Sequence, residues 1–244
     1  MLNKELEYIE NNQIRKFTKL AIDNLPDYFF NVAASSTGKY HPGYALGEGG
    51  LVRHTKAAAR FANHLLQLDQ NKEKFDEIER SCIISAIILH DGWKHGNNGS
   101  SFTTHEHPQV CADWILTSEL FKELRQREKE IIASAIASHM GQWNTTKRSS
   151  LVLQKPVTDI QQFVHMCDYL ASRKDIEILF DGVVQNEGSS QKEVKLEDYR
   201  FTFGKYNGQL ITDVAKDHLD YLQWMKGNMS LKEPLKTFVA QLVG

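Results

Sequence analysis

The chain has 244 residues, which is enough to bury a sizeable core and suits one full domain with a small appendage. Its composition, 41% hydrophobic and 25% charged, excludes the disordered and fibrous classes. A formal net charge of -2 argues against a broad nonspecific nucleic-acid surface, which needs an excess of Lys and Arg, and leaves room only for a local basic groove.

The first part of the chain predicts two helices separated by a long irregular segment. Apolar residues recur at helical spacing over residues 2–25 and again over residues 51–68. Between them, residues 29–50 read FFNVAASSTGKYHPGYALGEGG, a Gly-, Ser- and Pro-rich stretch of a length that is often functional. His54 falls on the apolar stripe of the second helix, so we expect it on the buried side.

Two further helices are predicted around a stretch of polar residues. Residues 75–89 become apolar on all sides, which is typical of a central, enclosed helix, and His90 and Asp91 close it. The next helical pattern opens at His107, with Pro108 in the first turn, where proline is tolerated.

The last two helical patterns of this region also carry polar groups. Residues 128–140 keep an apolar stripe that ends at His139, and residues 158–172 place Asp168 beside theirs. These patterns predict a mainly α fold, with a first domain over residues 1–181.

The C-terminal region changes character. Residues 182–198 are polar and nearly free of large apolar side chains, which predicts a linker. Residues 199–244 begin with strand-like alternation around Asn207-Gly208, a strong hairpin signal, and continue with short helical patterns. We therefore expect a small α+β module after the helical domain.

The cysteines and the apolar stretches predict a cytoplasmic protein with no membrane association. Cys82, Cys111 and Cys167 each lie inside a helical pattern, which fits reduced, buried thiols. The N-terminus has acidic residues from the start and no apolar core of signal-peptide length. The longest apolar stretch, residues 83–89, is too short to span a bilayer.

Polar groups on apolar helix faces predict a metal centre. An unpartnered buried imidazole or carboxylate costs about 1–3 kcal/mol or more, and a metal ion would satisfy several of them at once. Imidazole with carboxylate oxygen suits Mn, Fe, Co, Ni or Zn, with Mg as a further candidate, rather than Ca or a thiolate-bound zinc. The residues that share this placement are His54, His90, Asp91, His139 and Asp168.

The number of ions stays open between one and two. A second ion becomes available if His107 and His139 contribute ligands and Asp91 bridges the pair. His107 could instead only cap its helix, His139 could only interact with a helix C-terminus, and His105 could take the place of His107.

The segments GGLVRHT, LHDGWK and HMCDYLA together resemble the HD superfamily of metal-dependent phosphohydrolases, an all-helical fold whose pattern is His, His-Asp, Asp. His54 precedes His90 by 36 residues, and Asp91 precedes Asp168 by 77, and both spacings suit that pattern. The resemblance implies that these four residues bind metal and that Lys94, which matches a His-Asp-x-x-Lys variant, contacts a substrate phosphate.

Members of that superfamily with two metals add a His before Pro and a His at a later helix end. EHP supplies His107 and ASHMG supplies His139. Two-metal members such as the cyclic-dinucleotide phosphodiesterases have a His pair where this chain has Ser138-His139. The segment GEGGLVRHT is more similar to the HD domains of 3′-to-5′ exoribonucleases, and the resemblance covers about residues 30–180.

A second resemblance covers the tail. FTFGKYNGQLITDVAKDHLDYLQWM is similar to the C-terminal module of exodeoxyribonuclease X and its relatives. Residues 199–244 hold six Lys or Arg against four acids, so a nucleic-acid or protein contact by this module is permitted but not demanded.

These observations predict a metal-dependent phosphohydrolase that cleaves a phosphate ester in a nucleotide or nucleic acid, as a phosphodiesterase or nuclease. The ions would activate water, Asp91 would orient that water, and Lys94 would neutralise charge on the phosphoryl oxygens. The alternatives are a nucleotidase that acts on mononucleotides and a metal-containing module that binds nucleic acid or protein without catalysis.

Overall fold

The protein is mainly α-helical, as the sequence predicts. The computed structural model describes residues 1–35, 41–97, 100–174, 195–201, 203–229, 231 and 234–243. The chain divides into two units, Met1–Leu179 and Phe180–Gly244.

The first unit contains eight helices over its described residues. They are α1 (Asn3–Leu6), α2 (Asn12–Asp23), α3 (Gly50–Leu66), α4 (Asp69–Lys74), α5 (Glu77–Leu89), α6 (His107–Thr117), α7 (Gln126–Ala137) and α8 (Asp159–Ala171). The single helix predicted over residues 2–25 is wrong, because Asn11 starts a new helix: its side chain accepts hydrogen bonds from the amides of Gln13 and Ile14.

Helix α5 is the centre of the first unit. It begins with a capping box between Asp76 and Glu79, and every residue from Ser81 to Leu89 is buried. It packs against α2, α3, α7 and α8. A helix enclosed on all sides has no polar face, which explains why its sequence turns apolar all round.

The start of α3 depends on two glycines. Gly49 has a φ of 67°, in the left-handed region, and a Cβ at Gly50 would lie 2.3 Å from the carbonyl oxygen of Ala45. The irregular segment before α3 includes short 3₁₀ turns at Asp27–Phe30 and Gly43–Ala45. These contacts fix the beginning of the helix that carries His54.

The second unit has its own core and is helical over most of its described residues. Its helices are α9 (Ile211–Asp217), α10 (Leu219–Asn228) and α11 (Leu235–Val243), preceded by a 3₁₀ turn at Leu196–Asp198. Phe201, Leu222, Met225 and Val239 are among the buried side chains of this core.

The hairpin expected around Asn207-Gly208 reduces to one antiparallel bridge between Arg200 and Leu210. The amide of Asn207 donates to the carbonyl of Gly204, and the amide of Gln209 donates to that of Tyr206. These successive turns use the residues that would otherwise pair as strands. The described residues of this module therefore form helices and one antiparallel bridge, and the α+β prediction is not confirmed.

The predicted linker falls largely outside the described residues. Residues 182–194 are not among them, and neither are Ser230 and Glu233, which the sequence suggests as a helix-capping pair. Leu196, at the end of the predicted linker, packs against the core of the second unit. The domain boundary at residue 181 stays a prediction.

None of the helices in the described parts of the chain combines the length and the apolar composition that a bilayer crossing requires.

We predict that the three cysteines are unreactive in the folded protein. All three are free and buried, and burial raises the pKa of Cys82 and Cys167 to about 12 and also raises that of Cys111. A thiol-specific disulfide reagent at pH 8 should modify almost none of them in the native state and all three in guanidinium chloride. Rapid modification of the native protein would contradict this packing.

Candidate metal centre

Ends of separate helices bring the predicted site residues together. His90 and Asp91 follow the last residue of α5, His107 is the first residue of α6, and His139 lies two residues beyond α7. His54 projects from the buried face of α3 and Asp168 from the last turn of α8. Their side chains form one cluster, whose members are His54, His90, Asp91, His107, His139 and Asp168.

Three of the imidazoles are held by the same local hydrogen bond. In each, Nδ1 lies close to the backbone carbonyl three residues earlier: His90 to Ile87 at 2.7 Å and His139 to Ile136 at 2.7 Å. His107 makes the same contact with Thr104 at 2.6 Å. A carbonyl can only accept, so Nδ1 carries the proton in all three rings, and this leaves a lone pair on each Nε2 in the neutral form.

The first group of ligand atoms joins α3, α5 and α8. The Nε2 of His54 lies 3.0 Å from Oδ1 of Asp168 and 3.3 Å from Nε2 of His90. The Nε2 of His90 is 3.4 Å from the same oxygen of Asp168. These three atoms all lie within 4.8 Å of one another, close enough to share one ion.

The second group places His90 and His139 around Asp91. Its Oδ1 lies 3.1 Å from Nε2 of His107 and 3.8 Å from Nε2 of His139, and these two nitrogens are 3.2 Å apart. This buried oxygen accepts no hydrogen bond from any described residue. In the neutral forms of the His107 and His139 imidazoles, with the proton on Nδ1, the two Nε2 atoms and this oxygen are three acceptors that face one another.

This arrangement fits a divalent cation. Unshared lone pairs packed together in a dry interior repel each other and are unfavourable unless a positive charge lies among them. Imidazole nitrogens with carboxylate oxygens are ligands that transition metals accept, and a carbonyl on the opposite ring nitrogen is the usual way to orient a ligating histidine. These groups could therefore hold a metal ion. His90 is the member that they share, and the carboxylate of Asp91 lies beside the Nε2 atoms of His90, His107 and His139.

The electrostatics of the cluster show how strongly it attracts positive charge. Burial alone would lower the pKa of His90, but the carboxylates of Asp91 and Asp168 outweigh it and raise that pKa to about 10. Burial would raise the pKa of Asp91, but Lys94 and His90 hold it well below its usual range. Burial and the charge of His90 lower the pKa of His139 to about 3. The carboxylates that favour a proton on His90 would likewise favour a metal ion at its Nε2.

Lys94 is part of the cluster. Its Nζ forms an ion pair with Oδ2 of Asp91, three residues earlier, and the side chain is mostly buried. The ordinary expectation for a lysine after a helix end is a solvated side chain, and the structure does not place it there. Lys94 therefore adds a positive charge directly at the carboxylate that both groups approach.

The structure separates His105 from His107. The Nε2 of His105 contacts the backbone carbonyl of Leu151 at 3.1 Å, away from the cluster, and its side chain is only half-buried. His107 is buried and its Nε2 points at Asp91. Of the two histidines between which the sequence leaves a choice, His107 is the one at the centre.

His41, in the irregular segment before α3, also borders the centre. Its ring lies 5.3 Å from that of His54, centroid to centroid, and its buried Nδ1 has no partner among the described residues. Burial, followed by the charges of His54 and Lys94, lowers its pKa to about 4. The sequence marks it only by the pair His41-Pro42, which repeats the His-Pro pair of His107-Pro108.

A cavity of about 870 Å³ opens onto the centre. Its lining combines ligand candidates from both groups with cationic and aromatic side chains. The lining includes His41, Asp91, Lys94, Phe102, His107, His139, Trp143, Arg148, Asp168 and Arg173. The volume falls in the range of sites for small ligands.

Trp143 forms an aromatic wall of this cavity. Its indole is stacked on Tyr169, with centroids 5.8 Å apart and an angle of 15° between the rings, and 44% of the residue stays exposed. Trp93, in contrast, packs against Trp114 and the hydrophobic core.

Comparison with known families finds one match, in the second unit. Residues 201–230 match the family described as Exodeoxyribonuclease X-like C-terminal. No curated protein and no solved structure matches the chain. The match agrees with the predicted resemblance of the tail and suggests a relation to nucleases.

We predict that the His90→Ala variant loses bound metal, because His90 belongs to both groups of ligand atoms. The matched control is His105→Ala, which removes an imidazole of the same region whose Nε2 contacts the backbone carbonyl of Leu151. Elemental analysis of both variants after identical purification and Mn²⁺ loading measures the difference. Full metal content in His90→Ala would contradict the ligand assignment.

Proposed function

We propose that the protein is a divalent-metal-dependent phosphohydrolase of the HD type that cleaves a phosphate ester in a nucleotide or nucleic acid. The observation that carries the proposal is the convergence of imidazole lone pairs and carboxylate oxygens from four helix ends and α3. The ligands would be His54, His90, Asp91 and Asp168, with His107 and His139 completing a site for a second ion.

A bound divalent ion would supply Lewis acidity toward a phosphoryl oxygen and would lower the pKa of water near neutrality. The ligand types favour Mn, Fe, Co, Ni, Zn or Mg over calcium, and one or two ions are compatible with the two groups that share His90. With this chemistry no serine or cysteine nucleophile is needed, and the buried cysteines have raised pKa values that oppose such a role.

The chain's own residues would bind and orient the phosphate. Lys94 lies at the cavity floor, and Arg148 and Arg173 line its wall, so three cationic side chains face the space where an anionic group would enter. Asp91, whose pKa is held well below its usual range, stays ionised and can accept a hydrogen bond from an attacking water. The ion pair with Asp91 keeps Lys94 at this position.

The aromatic wall favours a substrate with a base. Trp143 presents a partly exposed indole to the cavity, and every nucleobase has a face that can stack on it. The exodeoxyribonuclease X-like segment at residues 201–230 favours nucleic acid, and hence a phosphodiester, over a free mononucleotide. The same proposal includes three further points. They are the HD type of the helical unit, a contact of the second unit with nucleic acid or a protein, and a cytoplasmic location.

A screen of the full-length protein with Mn²⁺ or Co²⁺ tests the activity. The substrates are a generic aryl phosphodiester, the matched phosphomonoester, a panel of mononucleotides and single-stranded oligonucleotides. Cleavage of diesters identifies a phosphodiesterase or nuclease, and turnover of mononucleotides alone identifies a nucleotidase. Full metal content without turnover of any substrate would contradict catalysis and favour a binding module.

We predict that Lys94→Gln lowers kcat/KM by about 100- to 1000-fold, the usual cost of removing one group that stabilises developing charge. Because the lysine is not itself a ligand, metal content should be retained, which separates this variant from His90→Ala. The matched control is Lys155→Gln, since Lys155 is exposed and absent from the cavity lining. Equal activity of the Lys94 variant and its control would refute the role in substrate binding.

A further inference from the structure

The outer face of α3 carries a second concave surface, which the proposed function does not use. A groove of about 530 Å³ runs along this helix. We call it the α3 groove, and it is lined by Tyr44, Arg53, Lys56, Ala57, Arg60, Phe61 and His64. Residue His54 of the same helix is buried on the opposite side, in the metal centre.

Positive charge is segregated on this face. Helix α3 spans 17 residues and contains Arg53, Lys56 and Arg60 but no Asp or Glu, although the whole chain has a formal net charge of -2. Arg53 donates hydrogen bonds to the backbone carbonyls of Tyr44 and Leu46, which are neutral, so its charge is not cancelled by these contacts. A local basic stripe on a weakly acidic protein is an electrostatic footprint for a polyanion.

The spacing of the stripe matches an extended ligand. Positions 53, 56, 60 and 64 follow one helix face, and at 1.5 Å per residue they cover about 16 Å. Two aromatic side chains lie beside the charges: Tyr44 is 41% exposed and Phe61 is 39% exposed. Cationic side chains interleaved with exposed rings are typical of surfaces that bind a sugar-phosphate backbone and stack its bases.

We infer that the α3 groove binds a single-stranded nucleic acid. A lipid surface fits less well, because the apolar face of α3 is already buried in the core and no longer available for insertion into a bilayer. An acidic peptide would use the charges but would give the exposed aromatic rings no bases to stack on. Single strands offer both phosphates and unstacked bases.

The groove adjoins the cavity of the metal centre. Tyr44, which lines the groove, donates a hydrogen bond from its hydroxyl to the carbonyl of Ala171 at 2.9 Å. The next two residues, Ser172 and Arg173, line the cavity. A strand held in the α3 groove therefore reaches the rim of the cavity. Cleavage of that strand at the metal centre rests on the proposed function, whereas its binding in the groove does not.

Binding of a fluorescently labelled oligodeoxythymidylate of about 12 nucleotides tests the inference, since single-strand sites cover about 4–16 nucleotides. The full-length protein is titrated in EDTA, so that binding is measured without metal or cleavage. The variant is K56Q/R60Q. The control is K16Q/K122Q, which removes the same charge from two exposed lysines that lie outside the α3 groove.

The salt dependence gives the decisive readout. Each lost phosphate contact should reduce the slope of log K against log salt by about 0.7, so K56Q/R60Q should reduce it by about 1.4 and weaken binding at 0.1 M salt by about 20-fold. Phe61→Ala should weaken binding about fivefold or more with the slope unchanged, since it removes stacking and no charge. The control variant should match the native protein.

Two results would overturn the inference. One is a slope for K56Q/R60Q equal to that of K16Q/K122Q, which would put the phosphate contacts elsewhere, for example on the second unit. The other is binding of anionic phospholipid vesicles or polyglutamate as tight as that of the oligonucleotide and equally sensitive to K56Q/R60Q. The binding titration contains no metal, so its result does not depend on whether the protein hydrolyses any substrate. Equal salt slopes of the two double variants would likewise leave the result of the hydrolysis screen unchanged.

Discussion

The site depends on a hydrogen bond that three histidines repeat. Each of His90, His107 and His139 donates its Nδ1 proton to the carbonyl three residues earlier, at the end or start of a helix. This fixes the orientation of the ring and directs Nε2 toward the carboxylate of Asp91, and in His90 also toward that of Asp168. The apolar α5 and its neighbours hold the helix ends together, so the core packing and the cation-attracting centre are consequences of the same helix arrangement.

Much of this could be predicted from the sequence because polar residues on apolar helix faces are conspicuous. His54 and Asp168 interrupt apolar stripes, and His90-Asp91 ends a helix without a polar face. Because a buried polar group without a partner is unfavourable, these side chains were expected to lie next to one another. The pairing of Lys94 with Asp91 was not predictable, since it depends on the turn after α5. The position of His41 was also missed, because it lies in an irregular segment whose path no periodicity reveals.

The second unit shows the opposite case. Asn207-Gly208 is a strong hairpin signal in sequence, but in the described part of this segment the turns from Gly204 to Gln209 accompany a single bridge between Arg200 and Leu210. Local turn propensity was therefore right about where the chain reverses and wrong about how much strand pairing accompanies the reversal.

Helix α3 links the two proposals, since one of its faces carries His54 and the other the basic groove.

Anomalous diffraction from crystals grown with Mn²⁺ tests the central claim most directly, because it locates an ion independently of any activity. We expect an anomalous peak at about 2.0–2.3 Å from the Nε2 atoms of His54 and His90, and a second peak near His107 and His139 if two ions bind. An ordered cluster with no anomalous peak, its imidazoles and carboxylates joined by ordinary hydrogen bonds and water, would contradict it.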